Sequence, residues 1–289
     1  MSNQSGSFPK IIWIFWFQGF ENAPGLVKKC LSSWQLNNPG WQINVLDEKE
    51  YKKHIDIDPI TALNRDTMNV QSLSEILRIN LINKYGGVWV DATCFCCQPL
   101  DEWLPNFMTS GFFAFERHGD DRLISSWFLA STKESYLTTA LCEAINWYWG
   151  KNRFPYQKRK YGRKAIKWIG KILNQNPRRA SLWAHPLTLK ILKLQPYYCF
   201  QYVFYRLLAT DRRSREIWDK TPKVRVDSAR RMQLAGLLNP VTAEIKSIID
   251  SRKDAIYKLD WRKDKDLVPG CNLDYLLNSL ELQFPQKTS

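Results

Sequence analysis

The sequence predicts an α/β protein in which helices flank a sheet. Strand-like and helix-like segments alternate through the first half of the chain, and this order favours a sheet dominated by parallel strands. An amphipathic helix over residues 72–85 then runs through a glycine pair directly into a strand. With 289 residues, the chain can bury one full α/β core that carries a helical insertion.

The first half divides into short elements in a regular order. Residues 11–17 predict a buried strand, residues 24–37 a helix and residues 42–47 a second strand. Loops and short helices follow, ahead of the helix over residues 72–85 and a strand over residues 88–97.

The second half is predicted to be mainly helical after one pair of strands. Residues 107–116 and 123–131 predict those strands, with a turn between them. Residues 134–218 have a helical pattern, with prolines marking the breaks. A further helix is predicted over residues 241–253.

The helix over residues 72–85 has one clearly apolar stripe. Four residues at positions i, i+3, i+4 and i+8 form it: Leu73, Ile76, Leu77 and Leu81. Ser74, Glu75 and Arg78 share another face. Gly86 is predicted to end the helix, because glycine adopts the left-handed cap conformation without steric cost.

The strand that follows presents three functional side chains on one face. Side chains alternate along a strand, so Trp89, Asp91 and Thr93 point to the same side. They lie near a carboxyl end, where open α/β sheets bind ligands. This arrangement suits a metal-bound diphosphate. In the alternative interpretation, the segment is a buried helix-turn-strand unit and Asp91 caps a loop.

The chain is strongly basic, and the excess charge is concentrated in one segment. The formal net charge is +14 and the pI about 9.4, which indicates a polyanionic partner. Residues 151–179 contain eleven Lys or Arg and no Asp or Glu. Within them, five residues with helical spacing lie opposite the lysines: Tyr161, Ala165, Ile169, Ile172 and Leu173. This pattern suits a helix in a membrane interface, or a solvated basic face packed over the core.

Several classes of protein lack support in the sequence. The longest apolar runs are shorter than the roughly 20 residues of a membrane-spanning helix, and the N-terminus lacks the apolar region of a signal peptide. Seven cysteines, an odd number without zinc-site spacing, indicate reduced thiols in a cytosolic protein. Hydrolase, kinase and dehydrogenase motifs are missing from the sequence.

The run S-E-I-L-R-x(7)-GG-x-W-x-D-x-T at residues 74–93 resembles a known family signature. The signature S-D-x-x-R-x(7)-GG-x-Y-x-D-x-D belongs to glycosyltransferases with a DXD-containing sugar-binding region. That group includes initiating α-1,6-mannosyltransferases and clostridial glucosylating toxins, and the capsular polysaccharide synthesis branch is the most similar form. Residues 9–19 and 30–48 are similar to the opening strand and the second unit of the family. The resemblance spans roughly residues 9–130.

The resemblance implies a single GT-A-like (Rossmann-like) domain over residues 1–289, with a mixed sheet flanked by helices. Residues 9–130 would bind the nucleotide-sugar. Residues 134–218 would form a basic helical insertion facing a membrane or the acceptor, and residues 219–289 would close over the donor.

The implied activity is transfer of a sugar, expected to be a hexose, from a nucleoside diphosphate-sugar to a hydroxyl of a capsular or lipid-linked polysaccharide. The resemblance implies retention at the anomeric carbon. We expect a bacterial, cytoplasmic enzyme that is peripheral at the inner membrane face, with an anionic membrane surface as a partner. The alternative is a non-catalytic basic module that binds nucleic acid or anionic membrane, but no nucleic-acid-binding signature supports it.

Site residues are carried over from the family one by one. Phe15 and Trp16 would contact the base, and Trp89 the ribose side. Ser74 and Arg78 would contact the ribose-diphosphate or the sugar.

Two departures from the family pattern concern acids. Glu75 replaces the family's Asp and would reach donor sugar hydroxyls. Asp91 would hold a Mn²⁺ or Mg²⁺ ion with Thr93, which replaces the last acid of the D-x-D. Because a hydroxyl is a weaker ligand than a carboxylate, we expect a weaker dependence on metal.

The segment AIYKLDWRKD, residues 255–264, resembles the closing segment of the family. It would provide Lys258 as a phosphate contact and Trp261 as a lid aromatic. The sequence leaves open the donor sugar, the base, the acceptor and the oligomeric state.

Overall fold

The computed structural model describes residues 8–283. Its strands, β1 to β7 in chain order, are Ile11–Phe15, Gln42–Leu46, Gly87–Asp91, Cys94–Cys96, Phe112–Gly119, Arg122–Ser131 and Ile256–Lys258. Its helices, α1 to α13 in chain order, are Gly25–Asn37, Asp58–Thr61, Val70–Tyr85, Leu100–Trp103, Tyr136–Gly150, Lys160–Leu173, Pro177–Ala180, Pro186–Leu192, Cys199–Thr210, Arg212–Lys220, Arg231–Ala235, Ala243–Asp250 and Asn272–Gln283. Short 3-10 helices cover Phe20–Asn22, Glu50–Lys53, Ala62–Asn64, Leu104–Phe107, Ser181–Ala184 and Trp261–Asp266.

Five strands form a mixed sheet in the order β2-β1-β3-β6-β5. The strand β1 pairs in parallel with β2 and β3, whereas β3 pairs antiparallel with β6, and β6 antiparallel with β5. The parallel part reflects the alternating order of the first half, and the antiparallel edge is the hairpin of β5 and β6. The predicted α/β class is confirmed, and the mixed sheet agrees with a GT-A-like arrangement.

Helices cover both faces of this sheet, because the side chains of β1 and β3 alternate between two cores. Ile12 and Val88 face a core that includes α1 and α13. Trp13 and Trp89 face a second core that includes α3, α5 and α9. Both strands are therefore buried on both sides, which explains their nearly continuous apolar sequence.

The predicted single strand over residues 88–97 is wrong, since the chain turns after Asp91. The strand β3 ends at that residue, and β4 pairs antiparallel with β7 in a separate two-stranded sheet. The sequence hides the break because its alternation of side chains continues across the turn. This turn brings the end of β3 next to Lys258, whose Cα partner in β4 is Cys94.

The basic helix α6 divides its apolar side chains between the protein and the solvent. Ala165, Ile169 and Leu173 pack partly buried against a third core. Trp168 is 67% exposed, and Ile172 is 50% exposed. The helix thus packs over the core while a second apolar strip remains on its outer face.

Within residues 8–283, none of the helices combines the length and apolar character that crossing a membrane requires. The ends of the single domain predicted over residues 1–289 lie outside the described residues, namely 1–7 and 284–289.

Candidate functional site

Two glycines bring the end of α3 close to β1 and begin β3. Gly86 and Gly87 have φ angles of 72° and 88°. A Cβ atom on Gly87 would lie 2.4 Å from the carbonyl oxygen of Ile11. Only glycine fits this left-handed, crowded backbone. The strands then run in register, and Phe15 lies opposite Asp91 at their carboxyl ends.

Asp91 is the centre of the site, and cationic side chains lie beside both of its oxygens. Oδ1 accepts a hydrogen bond from Trp89 Nε1 at 3.1 Å and lies 3.3 Å from Arg78 Nη2. Oδ2 lies 3.1 Å from Lys258 Nζ. The same ammonium donates to Thr93 Oγ1 at 2.5 Å. Asp91 keeps 27% of its side chain exposed, so a ligand can reach this group of charges.

The charges of this group stabilise one another. Burial opposes ionisation of Asp91, but Lys258 and Arg78 outweigh it and hold the pKa of the carboxyl below its usual value. Burial also opposes the charge on Lys258, and the attraction of Asp91 raises the pKa of that ammonium in spite of it. Asp91 and Lys258 are therefore both ionised at neutral pH.

Arg78 is held rigidly before any ligand arrives. Its guanidinium donates to the Ser74 carbonyl at 3.1 Å, to Ser74 Oγ at 2.9 Å and to the Ser126 carbonyl at 2.6 Å. The rings of Trp89 and Phe200 lie 5.4 Å and 5.9 Å from its central carbon. These contacts fix the guanidinium beside Asp91.

Glu75 lies next to Arg78 on α3 and is buried. The thiol of Cys199 donates a hydrogen bond to Glu75 Oε2 at 3.0 Å. Burial raises the pKa of Glu75 to about 7, although Arg78 and the Cys199 hydrogen bond act to lower it. Protonated and ionised forms of this carboxyl are therefore both accessible near neutral pH.

The helical second half supplies side chains that sequence reasoning missed. The start of α9 provides Cys199 to Glu75 and the ring of Phe200 to Arg78. Gln201 donates to Ser126 Oγ at 3.1 Å, beside the carbonyl that Arg78 uses. The only sequence signal for these residues is an apolar, aromatic run over residues 197–209, which gives no indication of a site.

The predicted base contacts lie in two different environments. Phe15 is buried in the core, edge-on to Phe17 and Tyr51. Trp16 is partly buried, and its ring lies edge-on to Trp261 at 5.8 Å. The indole Nε1 of Trp16 is buried without a hydrogen-bond partner among residues 8–283.

The structure thus brings five of the predicted residues into direct contact around one carboxylate: Arg78, Trp89, Asp91, Thr93 and Lys258. Ser74 belongs to this group because its hydroxyl accepts a hydrogen bond from Arg78. Glu75 lies close enough to Arg78 for the two charges to interact. Trp16 and Trp261 form a separate aromatic pair.

The side chains around Asp91 do not fit the divalent cation that the resemblance implies. No group of three or more His, Cys, Asp or Glu residues suited to a metal occurs in the described part of the chain. Mn²⁺ and Mg²⁺ need free oxygen ligands, whereas Arg78 and Lys258 already lie beside the two oxygens of Asp91. An ammonium beside Oδ2 and Thr93 would repel a metal ion placed there.

Comparison with known proteins gives one family. Residues 1–157, more than half of the chain, match the model of a family described as capsular polysaccharide synthesis protein.

Curated relatives include the O-glycosyltransferase braB of Annulohypoxylon truncatum, which is 22% identical over 147 residues, 44% of this chain and 35% of that protein. The glycosyltransferase afumC of Aspergillus fumigatus is 30% identical over 101 residues, 31% of this chain and 26% of that protein. The chain thus spans only about a third or a quarter of the length of these relatives.

Among solved structures, the chain is similar to the PaToxG Glycosyltransferase, with a TM-score of 0.39 and 14% identity. The match covers 73% of this chain and 86% of that one.

Proposed function

The chain belongs to the capsular polysaccharide synthesis protein family, and on this premise we propose that it is a glycosyltransferase. It would transfer a sugar from a nucleoside diphosphate-sugar to a hydroxyl of a capsular or lipid-linked polysaccharide. The names of the curated relatives support the transferase activity. A hexose donor and retention at the anomeric carbon are part of the proposal through the family signature.

The pair of cations at Asp91 is the main support for this proposal. Arg78 and Lys258 together exceed the charge of that carboxylate by one positive unit, at the carboxyl end of β3. When the bond to the sugar breaks, negative charge develops on the leaving diphosphate. Charged groups fixed in advance around that position stabilise the transition state more than the ground state. A basic module for nucleic acid or membrane would need no such buried ionic group.

We assign the nucleotide base to Trp16. Its indole N–H lacks a partner among the described residues, and an aromatic ring gives a base a face on which to stack. Trp261 is 44% exposed and lies against Trp16, as a lid over the base would. Phe15 supports this strand from the core. Ser74 and Glu75 lie on the same helix as Arg78, where they would meet the ribose-diphosphate and the sugar hydroxyls.

We further propose that the basic helix α6 contacts an anionic membrane surface, where a lipid-linked acceptor would be located. Its outer face combines lysines with the exposed rings of Tyr161 and Trp168. Exposed aromatic rings between lysines are typical of helices that lie in a membrane interface.

A donor screen tests the transferase proposal. We expect one uridine-, guanosine- or cytidine-diphosphate sugar to raise the melting temperature, because a ligand that binds only the native state stabilises it. A donor at 100 times its dissociation constant adds about 2.7 kcal/mol. The matched variants are Arg78→Gln, which should abolish the shift, and Arg225→Gln, which removes an exposed arginine paired with Asp227 and should leave it unchanged. If the folded protein responds to none of these donors, the proposed function is wrong.

A further inference from the structure

We propose that Lys258 takes the place of a divalent cation, so that donor binding and sugar transfer proceed without metal. This inference rests on the proposed glycosyltransferase function. Its basis is the position of Lys258 Nζ, which lies 3.1 Å from Asp91 Oδ2 and 2.5 Å from Thr93 Oγ1. These are the two side chains that the family signature implies as metal ligands.

The ammonium has donor capacity left for a phosphate. A lysine ammonium has three N–H donors and no acceptor. Two of them are directed to Asp91 and Thr93. Within residues 8–283 the third has no hydrogen-bond partner, so it can donate to an oxygen of the donor diphosphate. Lysine binds phosphate well as a point charge, without the bidentate geometry of arginine.

The backbone holds Lys258 in this position from both sides. Its own N–H donates to the Ala229 carbonyl at 2.7 Å, and the next residue, Leu259, donates to the Thr93 carbonyl at 2.8 Å. The neighbouring side chains of Tyr257 and Leu259 are buried. Lys258 is therefore a fixed charge, unlike a flexible surface lysine.

Lys258 already supplies positive charge at the place where a cation would lie. The site has one carboxylate, Asp91, and two cations, Arg78 and Lys258, and so carries one net positive charge without a metal ion. Thr93 contributes a neutral hydroxyl that accepts from the ammonium, whereas an aspartate there would suit a metal ion better.

The proposed transfer of the sugar to the acceptor hydroxyl needs no metal ion. The bond between the anomeric carbon and the diphosphate oxygen breaks, and its electron pair goes to the diphosphate. The acceptor hydroxyl oxygen forms the new bond to that carbon and loses its proton to the leaving diphosphate. The positive charges of Lys258 and Arg78, which lie beside Asp91, stabilise the charge on the leaving group.

Calorimetric titration of the full chain with UDP, with GDP and with CDP tests this inference. Each titration is done once in excess EDTA and once in MnCl₂. We expect the nucleotide that binds to have nearly the same affinity in EDTA and in MnCl₂. If Lys258 supplies the charge, metal binding and nucleotide binding are not coupled. This comparison needs no variant and does not depend on whether any variant folds.

Variants locate the effect in Lys258. In EDTA, Lys258→Ala should weaken binding by about tenfold or more, the scale of a lost charge-assisted hydrogen bond. Lys258→Arg should retain most of the affinity. Lys10→Ala removes a lysine from another Lys–Asp pair, with Asp101, and should have no effect. The double variant Lys258→Ala with Thr93→Asp should regain binding only when manganese is present.

The outcomes separate this inference from the function on which it rests. If the unmodified protein binds UDP, GDP or CDP only with manganese, or if Lys258→Ala binds its nucleotide as tightly as the unmodified protein in EDTA, the inference is overturned and the transferase proposal stands. If none of the three nucleotides and no donor sugar binds under either condition, the transferase proposal fails and the inference fails with it.

Discussion

The protein contains two basic regions that differ in almost every physical respect. At Asp91, two cations that lie 180 positions apart in the sequence, Arg78 and Lys258, meet at one partly buried carboxylate. The segment 151–179 has eleven basic residues among its 29 residues, and most of them are exposed. The first region is small and fixed by hydrogen bonds. The second is large and mainly solvated.

The difference shows that the number of charges in a segment is a poor guide to chemistry. Salt screens exposed charges, and each contributes little to a specific contact. A charge away from water acts strongly on its neighbours, because the surrounding dielectric response is weaker. The cations at Asp91 therefore suit a defined chemical group such as a diphosphate, whereas α6 suits a diffuse anionic surface.

The largest expected effect concerns vesicle binding by α6. Each lysine near an anionic bilayer contributes on the order of 1 kcal/mol, so removing four should weaken binding by roughly three orders of magnitude. The change to glutamine is made at Lys160, Lys164, Lys167 and Lys171. Co-sedimentation with vesicles containing phosphatidylserine measures the loss, and donor binding should not change.

The matched control removes the same charge from other exposed positions. The four lysines changed to glutamine are Lys52, Lys53, Lys246 and Lys253. This variant should still bind vesicles almost normally and release them at high salt. If both variants lose vesicle binding equally, that binding depends on net charge alone, and the proposed role of α6 is wrong.

The second prediction concerns Asp91→Asn. Asparagine keeps the shape of the side chain but cannot compensate the charges of Arg78 and Lys258. Arg78 and Lys258 would then repel each other and lose their fixed positions, so sugar transfer should fall at least about a hundredfold, the scale of losing one fixed electrostatic contact in an active site. Initial rates of nucleoside diphosphate release measure the effect. Thr93→Ala should cost much less, and an Asp91→Asn protein with a normal rate would remove Asp91 from the site.

The third prediction, Trp16→Ala, separates the two aromatic surfaces of the molecule. Loss of base stacking should weaken donor binding by about 1–3 kcal/mol. Trp168→Ala is the matched control, since this exposed tryptophan of α6 should affect vesicle binding and leave donor affinity unchanged. Calorimetry and thermal melting are measured together. A collapse of the melting temperature with unchanged donor affinity would show that Trp16 serves only the core.

The last prediction is a pH dependence of stability from Glu75. Burial raises the pKa of this carboxyl from an ordinary value of 4.5 to about 7 in the folded state. The folded state therefore retains a proton that the unfolded chain releases, and stability falls as the pH rises from about 4.5 through about 7. Glu75→Gln should remove this part of the fall, on the order of 3 kcal/mol.

Melting temperatures of both proteins across this pH range provide the check. The difference between them should grow in favour of Glu75→Gln as the pH rises and become constant above about pH 8. Parallel curves would mean that Glu75 ionises as readily in the folded state as in the unfolded chain.

Much of the first half of the fold could be predicted from periodicity. The helix expected over residues 24–37 is Gly25–Asn37, and the one expected over 72–85 is Val70–Tyr85. Both have strong apolar spacing and clear end signals. The strand expected over 107–116 begins later, at Phe112, because a 3-10 helix and a turn cover its apolar start.

The contacts of the site could be predicted only in part. Arg78 and Asp91 lie within one motif, and local spacing places Arg78 on α3 and Asp91 at the end of β3, where their side chains meet. Lys258 required the family resemblance, since nothing local links it to Asp91. Cys199 and Phe200 were missed because their contribution depends on how α9 packs against α3, and an apolar run carries no information about that neighbour.

The pairing of β4 with β7 has a consequence for the timing of folding. Lys258 contacts Thr93 at a separation of 165 positions in the sequence, so this contact closes one of the longest loops in the chain. Contacts of such sequence separation form late, because the entropy of closing the loop must be overcome first. During synthesis, the ribosome will have released the whole region that matches the family before this lysine exists. The nascent chain can therefore build its five-stranded sheet early, while the ionic group at Asp91 stays incomplete until β7 pairs with β4.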